Sequence, residues 1–346
     1  MADLETAIQR SHEAVDTTPA HHPDRARRLD NLGIGYRYRY QRTGTMTDLE
    51  AAIQRFQEAL DATPTNHPDR AVRLHSLGLG YRDRYQRTGT MADLETAIQQ
   101  FQEALGQPLS PVSDLLKTGK TLLMLYANTK NWSQAHQTAS KTVSLVPLLT
   151  PRSLETSDKQ HLLTQVVDLA STASAVALNA GETSFDAVQA LELGRGVITR
   201  SINELRADIF DLQQKHPQLA EEYITLRDRL NSSAISTQRD VNKRYTTGQE
   251  LERVMVIEQI QQLPDFDRFL CAPSEDELMT AAECGPIVII NVSNYRCDAL
   301  IIKKTQIQAL RLSDLHVSDI QARSTESLAE LEILEWLWDT IAQPVS

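Results

Sequence analysis

Cys271, Cys284 and Cys297 stand thirteen residues apart, and a thiol is both a strong nucleophile and a soft metal ligand. Zinc sites are usually built from close pairs such as Cys-x-x-Cys, which this spacing lacks, so neither a metal site nor a cofactor is expected. Thiolate catalysis needs a His base brought beside the sulfur in space. No Cys follows Cys297, and His316 sits in Asp314-Leu315-His316-Val317, a helix-start or loop context. Cys297 is therefore expected to be a small buried strand residue, and the other two ordinary thiols. His21-His22 and His67 precede Pro-Asp in equivalent places and read as turn residues rather than ligands. Tyr36-Arg37-Tyr38-Arg39-Tyr40 has the composition that stacks on and neutralises single-stranded nucleic acid. On a helix, however, Tyr36 and Tyr40 share the face of Leu29 and Leu32, so packing is the expected role. Gly194-Arg195-Gly196 lacks the Gly-x-x-x-x-Gly-Lys-Ser/Thr of a phosphate loop. It reads as a helix–helix contact, with Arg195 paired to a nearby acid.

The charge balance narrows the partners. The chain has 346 residues, with 35 Lys and Arg against 46 Asp and Glu, a formal −11. Residues 1–90 hold thirteen Arg, no Lys and twelve acids, a net +1, so the other 256 carry −12. No basic segment hides under the average, which disfavours nucleic acid and anionic membranes. Hydrophobic residues make up 41% and aromatics 5%, a Leu, Ile, Val and Ala composition that favours helix packing and excludes an all-β protein. The sparse, odd cysteine count suits a reducing compartment. The start, MADLETAIQR, has no secretory character, and no stretch approaches 18 apolar residues. A soluble, cytoplasmic protein is the expectation.

These residues are positioned by an internal repeat. Residues 1–45 match 46–90 at 32 of 45 positions, the mark of a solenoid unit. Leu49, Ala52, Ile53, Phe56, Ala59 and Leu60 form the stripe of one amphipathic helix, with Thr47 and Asp48 as candidate caps. Leu74, Leu77, Gly78, Tyr81 and Tyr85 mark the second, mirrored by Leu29, Leu32, Gly33, Tyr36 and Tyr40. Glycine in mid-helix costs about 1 kcal/mol relative to alanine, so its recurrence at Gly33 and Gly78 predicts a neighbouring helix against bare backbone. Thr-Gly-Thr at 43–45 and 88–90 ends that helix. Pro64 and His67-Pro68-Asp69 divide one pair from the next.

Beyond the repeats the period is lost. Leu162, Val166, Leu169, Ala173 and Val176 make one helical stripe, Ala187, Leu191 and Gly194 another, and Leu205, Ile209 and Leu212 a third. Two polar helices at 217–231 and 237–262 are expected to project or to form a hairpin. After Pro264 come a short helix near 275–283 and three strands: a buried one at Ile287–Val292, then Cys297–Ile302 and Ile307–Leu312 across a turn at Lys303–Thr305. An acidic amphipathic helix follows, with Glu326, Glu330, Glu332 and Glu335 against Leu328, Leu331, Leu334, Trp336 and Leu337.

The spacing Leu-x-x-Leu-Gly-x-x-Tyr, then Ala52, Phe56, Ala59 and Pro64, resembles the tetratricopeptide repeat (TPR), with longer turns around 40–47 and 64–70. A third, degenerate unit over 91–148 has Leu122, Tyr126, Ala135 and Pro147 at the unexpanded spacing. Residues 1–17 look like the second helix of a repeat lacking its first. Leu191 to Val197, the helix ending Arg227-Asp228-Arg229-Leu230, Gly285 to Ser293 and Tyr295-Arg296-Cys297-Asp298-Ala299-Leu300 resemble the TPR–CHAT proteins, in which a TPR array precedes a caspase-like peptidase domain. In that fold the catalytic His, next to a Gly, and the Cys come late in the domain, and nothing of that kind follows residue 303.

The resemblance implies a mainly α chain. A TPR-like α-solenoid over 1–150 would precede a helical connector over 151–265 and, at 266–346, the start of a CHAT-like α/β domain with about three strands. The expected function is a protein-interaction scaffold, not an enzyme, that binds a protein or peptide partner through the array. The expected contact residues are polar positions on the glycine-bearing helices outside the apolar stripe: Asn31, Arg37, His75 and Arg82. One alternative is a portion of a caspase-like cysteine peptidase whose His and Cys lie beyond residue 346. Another is a self-associating repeat protein.

Overall fold

The computed structural model describes residues 2–146, 158–199, 204–232, 252, 255–324 and 330–345. The chain is mainly helical, with one small antiparallel sheet. Among the described residues no helix is long and apolar enough to cross a membrane. Two compact units divide at Leu122/Leu123.

The first unit holds the repeats. Its helices are α1 (Ala2–Asp16), α2 (Arg25–Thr43), α3 (Met46–Asp61), α4 (Arg70–Thr88), α5 (Met91–Leu105) and the beginning of α6 (Val112–Asn128). α2 packs most broadly on α3, and α4 on α5, while α1–α2 and α3–α4 meet over less surface. Glycine explains how they approach. A Cβ on Gly33 would stand 2.6 Å from the Phe56 ring, and one on Gly78 would stand 2.7 Å from Phe101, so each notch admits a Phe from the following helix. Two residues on, Gly35 and Gly80 face the helix before, where added Cβ atoms would meet Ile8 at 3.0 Å and Ile53 at 2.8 Å. Each long helix thus accepts a neighbour on two sides. Filling such a notch costs about 1–3 kcal/mol in overpacking. Gly44 and Gly89 end the long helices at φ 71° and 73°, left-handed backbone that favours glycine.

The helix-start expectation needs correction. α3 begins at Met46 after Thr45, and neither Thr47 nor Asp48 caps it. Asp48 instead accepts from Arg39 Nε at 2.9 Å and Nη2 at 2.6 Å, and Arg39 also reaches Glu5 and lies over Tyr36. The next copy repeats the set, with Arg84 on Asp93 and Glu50 and over Tyr81. The bidentate pair holds more tightly than one capping hydrogen bond, so the carboxylate turns to the arginine. Leu122, Tyr126 and Ala135 are buried; Pro147 lies outside the described residues.

The second unit continues α6 and adds α7 (Trp132–Val143), α8 (Asp158–Ala180), α9 (Ser184–Thr199), α10 (Glu204–Lys215), α11 (Pro217–Ser232) and α12 (255–261). Val166, Leu169, Ala173 and Val176 are buried along α8, and Ala187 and Leu191 along α9. A Cβ on Gly194 would run into Ala170 Cβ, so this glycine is a helix–helix contact. The side chains of Leu162, Arg195 and Leu205 lie outside the described residues. α10 and α11 have a core of their own, where Leu212, Ala220 and Tyr223 meet Ile260, Phe266 and Phe269. Of the helix expected at 237–262, residues 237–251 lie outside the described residues.

Ser274 opens α13 (Glu275–Ala281) with a reciprocal cap to Glu277. Strands β1 (Ile287–Asn291), β2 (Asp298–Lys303) and β3 (Gln306–Arg311) pair antiparallel in that order, with Ile289 opposite Leu300 and Leu300 opposite Ala309. One face, with Ile289, Leu300 and Ile302, packs on Ala170, Ala187, Val188 and Leu191 of α8 and α9 and on Leu278 of α13. The other, with Ala299, Ile290 and Ile301, packs with Cys297, Leu312, Leu315 and Ile320 of α14 (Val317–Arg323), and with Trp336 of α15 (Leu331–Leu337). A single core therefore joins residues on both sides of the expected 265/266 boundary. β1 is less buried than its sequence suggests: as an edge strand it leaves Ile287 and Val288 exposed. The last helix also differs in phase. Ile333 is its buried residue and Trp336 lies under Arg323, while Leu331 and Leu334 face outward. Glu326 and Leu328 lie outside the described residues. A π-helical turn, Trp338–Ala342, follows directly.

Candidate functional site

Two places gather polar side chains. The first is on the long helices of the repeat unit. Arg37 of α2 donates through Nε to Asp83 Oδ2 at 2.7 Å. Arg82, beside Asp83 on α4, donates through Nε and Nη2 to Oδ1 at 3.1 and 2.7 Å. Gln41 Nε2 reaches Oδ2 at 3.5 Å. One carboxylate thus orients two guanidinium groups from adjacent repeats. The Asp83 side chain is 6% exposed, against 14% for Arg37 and 24% for Arg82, so the anchor lies beneath and the cations partly open to solvent.

His75 lies under this cluster. It is buried, its ring tilted on Phe101 at 5.5 Å between centroids. Thr118 Oγ1 stands 3.1 Å from His75 Nδ1 and donates its one hydroxyl proton to Asp114 O, so Nδ1 carries the hydrogen between them. Burial first, and then the positive charges of Lys117, Arg82 and Arg37, push its pKa down to about 3. His75 is therefore neutral at physiological pH, and its ring is buried against Phe101 and Thr118. Asn31 is exposed on α2 and joins none of these hydrogen bonds. Of the four expected contact residues the fold thus brings three together.

Sequence reasoning missed Asp83, Gln41 and Lys117. Asp83 was detectable, since it stands where the first copy has Tyr38. A buried ion pair links the same two helices: Arg73 Nη1 donates to Asp30 Oδ2 at 2.7 Å. Its second-copy counterpart is neutral, because His75 occupies the place of Asp30 and Thr118 that of Arg73. Burial raises the Asp30 carboxyl above its usual value, against the lowering effect of Arg73.

The second place is a cleft of about 420 Å³ at the strand ends, lined by Ser293, Tyr295, Arg296, Cys297, Arg311 and His316. Cys297 and His316 share it, but the sulfur is not prepared for attack. Cys297 is buried, its Sγ donates to Ser293 O at 3.7 Å, and burial pushes the thiol pKa up. Cys284 is exposed. In the folded protein iodoacetamide should therefore modify Cys284 well before Cys297, as peptide mass mapping over time would show. Faster modification of Cys297 would mean an activated thiolate. Tyr295, on the same loop, donates to Asn128 Oδ1 at 3.0 Å and meets Trp132 edge-on.

The segment Arg296-Cys297-Asp298 is explained by packing. Arg296 grips Asp298 through Nε at 2.8 Å and Nη2 at 2.5 Å, and Asp298 is fully buried. The pair ties the β1–β2 loop to the first residue of β2.

The turn histidines act locally, since Nδ1 of His22 and of His67 accepts the backbone N–H of Asp24 and Asp69 at 3.1 Å. Among the described residues no three His, Cys, Asp or Glu side chains form a group that could hold a metal ion. No family model matches the chain, and no curated protein matches it.

Proposed function

We propose that the chain is a protein-interaction scaffold of the TPR–CHAT type whose repeat array binds a protein or peptide partner. The observation that carries this reading is the cluster in which Asp83 fixes Arg37 and Arg82 from two successive repeats. Partly exposed donors held in place on rigid helices cost little further ordering when a partner binds. The glycine notches supply the rigid platform, because each long helix is held against neighbours on two sides. Enzymatic use of Cys297 draws no support from its surroundings, since a buried thiol bonded to a carbonyl is a poor nucleophile.

The test uses the full chain as bait for cross-linking and capture, compared with a variant carrying Asn31→Ala, Arg37→Ala and Arg82→Ala that retains the parent's circular dichroism spectrum. Partners that reach the array should disappear from the variant's capture. An identical set from both baits would sink the reading. Light scattering on the same samples tells whether a captured partner is a second copy.

A further inference from the structure

The two long helices can be compared residue by residue, because α2 and α4 are each 19 residues long and aligned by the repeat. They differ at five positions only: Arg27/Val72, Asp30/His75, Asn31/Ser76, Ile34/Leu79 and Tyr38/Asp83. Counted from the first, these fall at i, i+3, i+4, i+7 and i+11, a single stripe of an α-helix. The remaining faces, with the leucines, glycines and Tyr36 and Tyr40 or their counterparts, are identical because each copy packs the same neighbours. Specialisation between the copies is thus confined to one face, and Arg37 and Arg82 border it.

The charges on that face are unequal. Asp30 balances Arg73. Asp83, by contrast, is one carboxylate for two arginines. Lys117, exposed and next to the Thr118 that touches His75, adds a third cation whose charge also bears on that ring. Arg37 spends only Nε and Arg82 only Nε and Nη2 on Asp83, so three Nη amino donors remain for a ligand. Tyr38, 54% exposed, stands beside Arg37. Guanidinium groups held edge-on by a carboxylate present their remaining N–H donors in a fork that suits a second carboxylate. A nucleic acid would need a wide basic field, and residues 1–90 carry only +1.

We infer that this face binds an acidic peptide segment, its carboxylates taken by Arg37, Arg82 and Lys117. The inference rests on the scaffold reading and adds the chemistry of the partner. The probe is a short fluorescein-labelled peptide of alternating Glu and Ser, with a Gln-for-Glu twin and a labelled oligouridylate as comparators. Binding to the full chain is followed by fluorescence anisotropy. The Glu peptide should bind at least about tenfold tighter than its twin, the effect expected from losing one charge-assisted hydrogen bond. Arg37→Gln with Arg82→Gln should erase that preference, and Arg42→Gln, which removes an exposed charge from the end of α2, should not. Because the double variant leaves Asp83 unpaired and could unfold, Lys117→Gln at an exposed site gives a second measurement, expected to weaken the Glu peptide severalfold. Equal binding of the two peptides, no binding of either, tighter binding of the oligouridylate, or a Lys117→Gln variant that binds as the parent does would each overturn the inference. Loss of captured partners from the alanine variant would still stand as support for the scaffold under any of those results.

Discussion

Replacing Arg296 by Met should destabilise the C-terminal unit by about 3–5 kcal/mol, the usual consequence of removing one partner from a buried ion pair. The Asp298 side chain is completely inaccessible, and its two oxygens rely on the Arg296 fork at 2.8 and 2.5 Å. Of the two residues opposite it across the sheet, Asn291 on β1 gives one Nδ2 hydrogen to Ser171 O, and Arg311 stands on β3. A compensating variant separates lost pairing from lost packing: adding Asp298→Leu to Arg296→Met removes the stranded charge and should return most of the stability. Urea unfolding read by tryptophan emission reports on this unit selectively, because all three tryptophans, Trp132, Trp336 and Trp338, belong to it. A loss below about 1 kcal/mol would place the pair with exposed ones and leave the conspicuous Arg296-Cys297-Asp298 segment without its structural explanation.

The repeat unit should be acid-labile in a way traceable to His75. Its folded pKa of about 3 lies far below the ordinary 6.5, so between these values the unfolded chain holds a proton that the folded chain does not. Stability from this group is complete above pH 6.5 and falls as pH drops towards 3, at about 1.4 kcal/mol per pH unit. At pH 5 the cumulative loss is about 2 kcal/mol. His75→Gln cannot take up that proton, so it should flatten the profile over this range, even if its midpoint stability at pH 7.5 is lower. Asp30 works in the opposite sense, since its raised carboxyl favours proton uptake by the folded form, but it is common to both proteins and cancels in the comparison. Far-ultraviolet circular dichroism with urea at pH 7.5, 6 and 5 supplies the curves. Parallel pH dependence in parent and variant would show that water reaches the imidazole.

What the sequence made legible was whatever repeats with a period. The 45-residue identity placed five helices, and Gly33 and Gly78 announced helix contacts that Phe56 and Phe101 fill. Local pattern failed where a side chain had two competing partners. Asp48 has the type and place of a cap, yet a bidentate arginine nine residues earlier in the chain takes it. Ile287 and Val288 are β-branched and apolar, but burial of a strand depends on what lies across the sheet, and β1 is at its edge. The candidate site was half readable. Arg37 and Arg82 follow from helical phase, whereas their anchor lies 46 residues from Arg37 and shows itself only as a departure from the repeat. His75 has the polarity of a surface residue and the neighbours of an interior one, because Thr118 on the next long helix supplies its hydrogen bond.

The paired notches on each long helix bear on how such an array changes in length. Gly33 and Gly35 receive helices from opposite directions, as do Gly78 and Gly80, and the copy at 46–90 carries both a plug, Phe56, and a socket, Gly78, whereas the first copy has Ser11 in place of the Phe. Tandem duplication of the 46–90 segment therefore brings a ready socket and plug together, and no compensating substitution is required elsewhere. Copy number becomes a variable that recombination can adjust without disturbing the fold, while the stripe on which the copies differ holds buried positions, Asp30, His75, Ser76 and Asp83, beside exposed ones, Asn31 and Tyr38.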